Sequence, residues 1–260
     1  MPPQTLSIVI PVFNESENVT DLAMEIVAST TTLPVTEIIF VDDGSTDDTL
    51  TVLQSLKPGI PHLRILHHTT RAGQSAAMMT GARAATGDLI VTMDGDGQND
   101  PADIAALYNI YINHAAPAKA GAQCAVDPGF CRDGKTLGMV AGQRRKRNDD
   151  WVKRMSSRIA NKVRNGLLND GLRDGGCSLK LIRRDVYVRL PYFAHMHRFL
   201  AALVIREGFV VTTVDVNHRP RTRGVSKYNL WNRLWVGIVD LMGVLWLTAR
   251  GKIPNEIKEV

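Results

Sequence analysis

A chain of 260 residues, 44% of them apolar, has material for one large α/β domain or two small ones, which excludes disorder on a domain scale. Its formal charge of +5 suits anionic partners such as nucleotides, phospholipid head groups or nucleic acid without choosing among them. Three cysteines, Cys124, Cys131 and Cys177, form no CxxC pair and have no histidine at zinc-ligand spacing, so they read as reduced thiols of a cytosolic protein.

After Met1-Pro2-Pro3 the chain passes directly into a strand pattern, with no charged n-region and no cleavable apolar segment, so export is not expected. Residues 6–12 are a β-branched run, followed by Phe13-Asn14-Glu15-Ser16-Glu17-Asn18, a helix start, and by apolar positions at helical spacing through Leu22 and Ile26. A second buried strand over 37–41 stops at Asp42-Asp43-Gly44-Ser45-Thr46-Asp47-Asp48, and a helix follows over 49–56. A third strand over 63–67 leads through Thr70-Arg71-Ala72-Gly73-Gln74 into a small-residue helix over 75–85 that can pack closely on a sheet. This alternation predicts a parallel sheet with helices on both faces and with its polar loops opening together at the C-terminal strand edges.

The fourth apolar run begins at Leu89 and breaks off in Met93-Asp94-Gly95-Asp96-Gly97-Gln98-Asn99-Asp100-Pro101. In an extended chain Asp94 and Asp96 face one side about 6 to 7 Å apart, and the two glycines let the backbone approach a ligand closely. Hard oxygen donors suit Mg²⁺ or Mn²⁺, and so few carboxylates leave room for water and the phosphate oxygens of a nucleoside diphosphate. The bland alternative is a solvated Asp/Gly turn.

Helix signals resume over 101–114, and residues 115–138 read as a surface excursion within the fold. A strand over 137–142 runs into the basic cluster Gln143-Arg144-Arg145-Lys146-Arg147, which is expected near the same sheet edge; Arg144 and Arg145 suit an anionic lipid head or a solvated face. A helix is predicted over 150–168, a strand over 179–182, helices over 184–190 and 198–207, and a strand over 209–218. His195 and His197 fall near a helix start, where capping or packing is the default. Residues 219–228, with Arg219, Arg221, Arg223 and Lys227 around Gly224, form a positive loop expected to be mobile until an anion neutralises it. The apolar segment 230–249 carries Trp231, Trp235 and Trp246 but also Asp240, and its unbroken apolar length is too short to cross a bilayer. It reads as an interfacial helix in preference to one packed on the domain or on another subunit.

Taken together, Ile8-Val9-Ile10-Pro11-Val12-Phe13-Asn14-Glu15, Val41-Asp42-Asp43-Gly44-Ser45-Thr46-Asp47, Met93-Asp94-Gly95-Asp96-Gly97-Gln98 and Gly224-Val225-Ser226-Lys227 make the chain resemble the family 2 glycosyltransferases, specifically their polyprenyl-phosphate (dolichyl-phosphate mannose synthase-like) branch. Asp174, in Arg173-Asp174-Gly175-Gly176-Cys177, also falls where such enzymes carry an acidic residue. Departures are Gly95 where a small Ala is commoner, the cysteine-bearing excursion, and a C-terminus without the membrane spans of many relatives.

The resemblance implies a GT-A (Rossmann-like) mostly parallel α/β sheet over 1–229, with 230–260 as a C-terminal interfacial or packing helix. It implies that Pro11, Phe13, Glu15 and Asp43 hold the base and ribose, that Arg71 covers the nucleotide pocket and that Asp94 faces the nucleotide. Asp96 and Gln98 would hold Mg²⁺ or Mn²⁺, and Arg221, Ser226 and Lys227 would close on phosphate; Asp96, Asp174 and Arg221 would be the catalytic set.

The activity so implied is inverting transfer of a sugar from a nucleoside-diphosphate sugar to a polyprenyl phosphate at the cytoplasmic face of the membrane. The chain would meet its lipid peripherally, beside a membrane-protein partner if one exists. The alternative acceptor is a saccharide hydroxyl in cell-envelope polysaccharide synthesis. A phosphate acceptor is already anionic and needs positioning, whereas a hydroxyl needs a base, so Asp174 is either a sugar-orienting residue or that base. Nucleic acid is not expected as a partner, because the positive charge is not interleaved with stacking aromatics.

Overall fold

Every residue of β1 (Leu6–Val12) is buried, as a β-branched run at the centre of a sheet covered on both faces must be. The computed structural model describes residues 4–115, 136–144, 166–168, 170–172, 174–220 and 230–250. In it β1 pairs in parallel with β2 (Val35–Asp42) and β4 (Leu89–Thr92), while β3 (Leu63–His67) extends the sheet beyond β2. With β5 (Leu137–Arg144), β6 (Lys180–Arg183) and β7 (Val210–Val216) the seven-stranded order is β3-β2-β1-β4-β6-β5-β7. The sheet is mostly parallel, as expected, but β6 runs antiparallel to both of its neighbours. That reversal carries the chain from the 174–179 turn straight across the C-terminal edge of β4.

Helices α1 (Val19–Ser29), α2 (Thr49–Leu56) and α4 (Asp103–Ala115) cover one face, where Leu22, Ile26, Leu53, Leu107 and Tyr111 pack on Ile8 and Ile10. Helices α3 (Gln74–Ala84), α5 (Arg184–Tyr187) and α6 (Leu200–Arg206) cover the other, where Met78, Ala82, Leu200 and Leu203 join the cluster of Val9 and Val41. The alternation of Ile8, Val9 and Ile10 between these clusters is the period of two of a strand. The small-residue character of α3 has the expected effect: a Cβ on Gly81 would collide with Val9 Cγ1, so the helix lies directly on the sheet.

At the opposite edge from the polar loops, Glu37 is 4% exposed and fully partnered. It accepts hydrogen bonds from Ser7 Oγ at 2.6 Å and Thr86 N at 2.5 Å, and pairs with Arg64. Burial opposes its charge, but these donors outweigh burial and hold the carboxyl at about 2.

Several boundaries differ from the sequence expectation. The helix expected over 198–207 is a single 3₁₀ turn, Met196–Arg198, followed by α6, and the helix expected over 184–190 is only the four residues of α5. β5 continues to Arg144 because β7 pairs with it to that residue, through Gln143↔Asp215 and Arg144↔Val216. Most of the excursion over 115–138 and of the helix over 150–168 lies outside the described residues, although 166–168 are helical.

The last helix, α7 (Leu230–Arg250), has two faces. Val244, 1% exposed, packs with Leu241 on Phe199 and Ala202, and Asp240 lies 3.1 Å from His195 Nδ1. Ile238, Val239, Met242 and Trp246 are exposed on another side, spaced to fall on one helical face. Among the described residues no helix is long and apolar enough to cross a membrane.

Candidate active site

The ends of β1 and β2 are stitched together by side chains of the loops that follow them. Asn14, held in the left-handed region at φ 54°, donates its N–H to Ser45 Oγ at 2.9 Å and accepts from Thr46 N at 2.8 Å. Glu15 donates its N–H to Thr49 Oγ1 at 2.8 Å, and its carboxylate accepts from Asn18 Nδ2 at 2.6 Å. Pro11 is buried at the end of β1. The Asp43 carboxylate accepts from Ala72 N at 2.9 Å and Gly73 N at 2.7 Å, and His68 Nδ1 lies 2.8 Å away. Asp43, expected at the base and ribose, is therefore engaged in holding the loop that carries Arg71. That loop sets the Arg71 guanidinium over Phe13, so these two expected donor-site residues do come together.

Asp94 follows β4 and accepts a hydrogen bond from Gln74 Nε2, at the start of α3, at 2.7 Å. Burial is the largest influence on its carboxyl and the Asp96 charge adds to it, pushing it up to about 6 against the opposing pull of Ser178, Lys180 and Arg144. Asp96 accepts from Gln98 N at 3.2 Å, a turn that Gly97 permits at φ +72°. A cavity of about 30 Å³ beside them is lined by Asp94, Gln98, Asn99, Arg144, Ser178 and His218.

This donor set fits a sparse Mg²⁺ or Mn²⁺ site. Two carboxylates and an amide are hard oxygen donors, and a cation would relieve the repulsion that raises Asp94. Among the described residues no cluster of three or more His, Cys, Asp or Glu side chains forms a site able to hold a cation by protein groups alone.

Arg144, at the end of β5, grips Asp174 through Nε to Oδ2 at 2.5 Å and Nη2 to Oδ1 at 2.9 Å, and Gly176 N adds a third donor at 3.2 Å. Its guanidinium, expected to face a lipid head, is turned to this carboxylate, and both side chains are largely buried. Arg145, Arg221, Ser226 and Lys227 lie outside the described residues.

The structure adds neighbours that sequence reasoning missed. Lys180, 4% exposed and opposite Thr92 in the β4–β6 pairing, donates to the Cys177 carbonyl. The only signal for it is a lysine inside the apolar run Leu179-Lys180-Leu181-Ile182. Ser178 receives a hydrogen bond from Asn99 Nδ2 at 2.7 Å, and Asn99 bridges to His218; nothing local in the sequence announces these contacts. His197 is held by packing, with Nδ1 2.8 Å from Ser75 Oγ.

Residues 7–190 match the family model described as glycosyl transferase family 2. The chain is 33% identical over 247 residues to dodecaprenyl-phosphate galacturonate synthase of Rhizobium johnstonii, covering 93% of this chain and 66% of the relative. It is 31% identical over 228 residues to undecaprenyl-phosphate 4-deoxy-4-formamido-L-arabinose transferase of Sodalis glossinidius, covering 86% of this chain and 63% of the relative, so it spans somewhat less than two thirds of the length of either. Among solved structures, mannosyl-3-phosphoglycerate synthase from Rubrobacter xylanophilus superposes with a TM-score of 0.65 at 17% identity, over 97% of this chain and 77% of that one. A mannosyltransferase from Pyrobaculum calidifontis in complex with GDP-Man and Mn²⁺ gives 0.62 at 18% identity, over 97% of this chain and 66% of that one. These last two likenesses establish the fold. With the family model covering most of the chain, this protein belongs to glycosyl transferase family 2.

Proposed function

We propose that the protein transfers a sugar, with inversion, from a nucleoside-diphosphate sugar to a polyprenyl phosphate at the cytoplasmic membrane face. The observation that carries the choice of acceptor is the Arg144–Asp174 pair. A carboxylate whose two oxygens are gripped by a guanidinium is poorly disposed to take a proton from a hydroxyl. A phosphate acceptor needs no such base, because it is already an anion near neutral pH. Asp174 then orients the sugar, and Arg144 fixes Asp174. The names of the two relatives, both of which use polyprenyl-type phosphates, support the same acceptor class.

On the donor side, Phe13 and Arg71 flank the place for the base, and Asp94 stands at the diphosphate end of the same edge. Asp96 and Gln98 would hold Mg²⁺ or Mn²⁺, which when bound stabilises the charge that develops on the departing β-phosphate. Lys180 places a buried positive charge beneath the carboxylates. Peripheral membrane contact is supported by the exposed apolar face of α7, with Trp246 suited to the head-group level.

The test is a donor screen with Mn²⁺ or Mg²⁺ and extracted polyprenyl phosphate, reading both lipid-linked sugar and released nucleotide. Lipid-linked product that disappears in Asp96→Ala is the expected result. Turnover with a saccharide acceptor alone would overturn the phosphate reading.

A further inference from the structure

Arg219 was expected to lead a mobile positive loop, yet it is one of the most heavily tied residues at this edge. Its Nη1 lies 2.6 Å from Glu25 on α1, and its Nη2 lies 3.0 Å from Asp100. Its backbone N–H donates to the Gln98 carbonyl at 2.9 Å, and its own carbonyl accepts from Gln98 Nε2 at 3.5 Å. On the residues just before it, His218 bridges to Asn99 in antiparallel fashion, and Asn217 N donates to Asp103 Oδ2 at 2.7 Å. Residues 217–219 thus form a short clasp laid along the motif that runs from Asp96 to Asp103.

We infer that Arg219 is a positioning residue that orients Gln98 and sets the register of the Asp96–Gln98 motif for its cation. The argument is geometric. An amide ligates a cation through its oxygen, and Gln98 spends an N–H on the Arg219 carbonyl, which assigns the other end of the amide to the ligand role. That carbonyl stays in place only while residue 219 does, and two carboxylates from separate elements, Glu25 and Asp100, hold it there. On the α1 side the clasp borders a cavity of about 300 Å³, lined by Asn18, Asp21, Glu25, Gly97 and Arg219 among others. Core packing therefore does not back it there, and the ion pairs add to the backbone contacts of residues 217–219 in holding it. Loss of the Arg219 side chain leaves the core intact and loosens the motif.

This inference rests on the reading of Asp96 and Gln98 as cation ligands, so its test carries a control for that reading. Mn²⁺ is titrated into the full chain with GDP or UDP present, free Mn²⁺ being read by electron paramagnetic resonance. Nucleotide binding without metal is measured separately. Arg219→Ala is expected to raise the Mn²⁺ dissociation constant about tenfold, as loss of a supporting partner around a metal site does. Metal-free nucleotide binding should change less than about twofold, because Phe13 and Arg71 lie on other loops. Arg219→Lys should recover part of the affinity, and Glu25→Gln, at a half-exposed position where folding is not at risk, should shift it in the same direction by less. Unchanged Mn²⁺ affinity in Arg219→Ala and Glu25→Gln, with only a lower melting temperature, would overturn the role. Asp96→Ala separates the two claims. If it loses Mn²⁺ while the Arg219 variants keep it, the positioning role alone falls; if it also keeps Mn²⁺, the cation is not held at this motif and both readings fall.

Discussion

The guanidinium carbon of Arg71 stands 4.1 Å above the centre of the Phe13 ring, a cation–π contact between loops that follow different strands. It depends on Gly44, which has φ +72° and whose added Cβ would lie 2.9 Å from Arg71 N. Gly44→Ala is therefore expected to displace Arg71 and weaken nucleoside-diphosphate binding by roughly tenfold, about 1 to 2 kcal/mol from strain and lost contact together. Isothermal titration with GDP and UDP checks this. Native-like affinity would disconnect Gly44 from the donor site.

Burial, aided by the positive charges of Lys180, Arg198 and His195, pushes the His197 ring down to about 3 from 6.5. A group whose folded value is depressed contributes stability that is complete above 6.5 and is lost as pH falls toward 3, because only the unfolded chain takes up the proton. Between pH 6.5 and 4.5 the loss from this ring is roughly 2 to 3 kcal/mol. His197→Phe should flatten that part of the stability-versus-pH curve, so that the native-minus-variant difference falls by roughly 2 to 3 kcal/mol between the two pH values, measured by urea unfolding at both. An unchanged pH slope in the variant would refute the assignment.

Glu37 acts over a more acidic window. With its carboxyl held at about 2 against an ordinary 4.5, its contribution is complete above 4.5 and disappears as pH falls to 2. Glu37→Gln should cost about 2 to 3 kcal/mol at pH 7, where a buried charge-assisted network is broken, and close to nothing at pH 2. Parallel denaturation curves at the two pH values decide it, and equal destabilisation at both would mean the effect is steric.

Gly95 lies against the end of β1, where a Cβ would lie 2.5 Å from Val12 Cγ1 and 3.2 Å from the Pro11 carbonyl. Gly95→Ala should destabilise the fold by about 1 to 3 kcal/mol. Combined with Val12→Ala it should cost less than the sum of the single changes, since the second removes the obstructing methyl groups. Strict additivity of the melting shifts would count against the clash.

Met242 and Trp246, each 62% exposed on the outer face of α7, provide a clean test of membrane contact. Deleting the helix does not, because Val244 packs against Phe199 and Ala202 and truncation would open that contact. The double variant Met242→Glu, Trp246→Glu should reduce co-sedimentation with anionic liposomes at low salt by at least about tenfold, given the apolar area it removes from the interface, and leave the melting temperature unaltered. A shift from dimer to monomer on a sizing column with liposome binding intact would make the face a subunit contact.

The alternation of strand, polar loop and helix over the first hundred residues was legible because it is local. The continuous apolar runs of β1 and β2, small residues in α3 and the abrupt carboxylates after β4 need only neighbours along the chain, and a parallel arrangement then gathers the loops at one edge. The sequence by itself therefore determined the sheet class, the edge that carries the site, and the nearness of Phe13, Arg71, Asp94 and Asp96. Which charged group meets which was decided by tertiary structure alone. The antiparallel entry of β6 next to β4 brings Ser178 and Lys180 to Asp94, β5 delivers Arg144 to Asp174, and the clasp at Arg219 joins α1 to the acidic motif. Such pairings depend on distances between segments far apart in the chain, and a charged residue's local pattern is the same whether it faces water, a lipid phosphate or a carboxylate. For the same reason the sequence shows 230–249 only as an apolar segment suited to an interface or to packing, and the position of Phe199 and Ala202 distinguishes the face α7 buries from the face it leaves exposed.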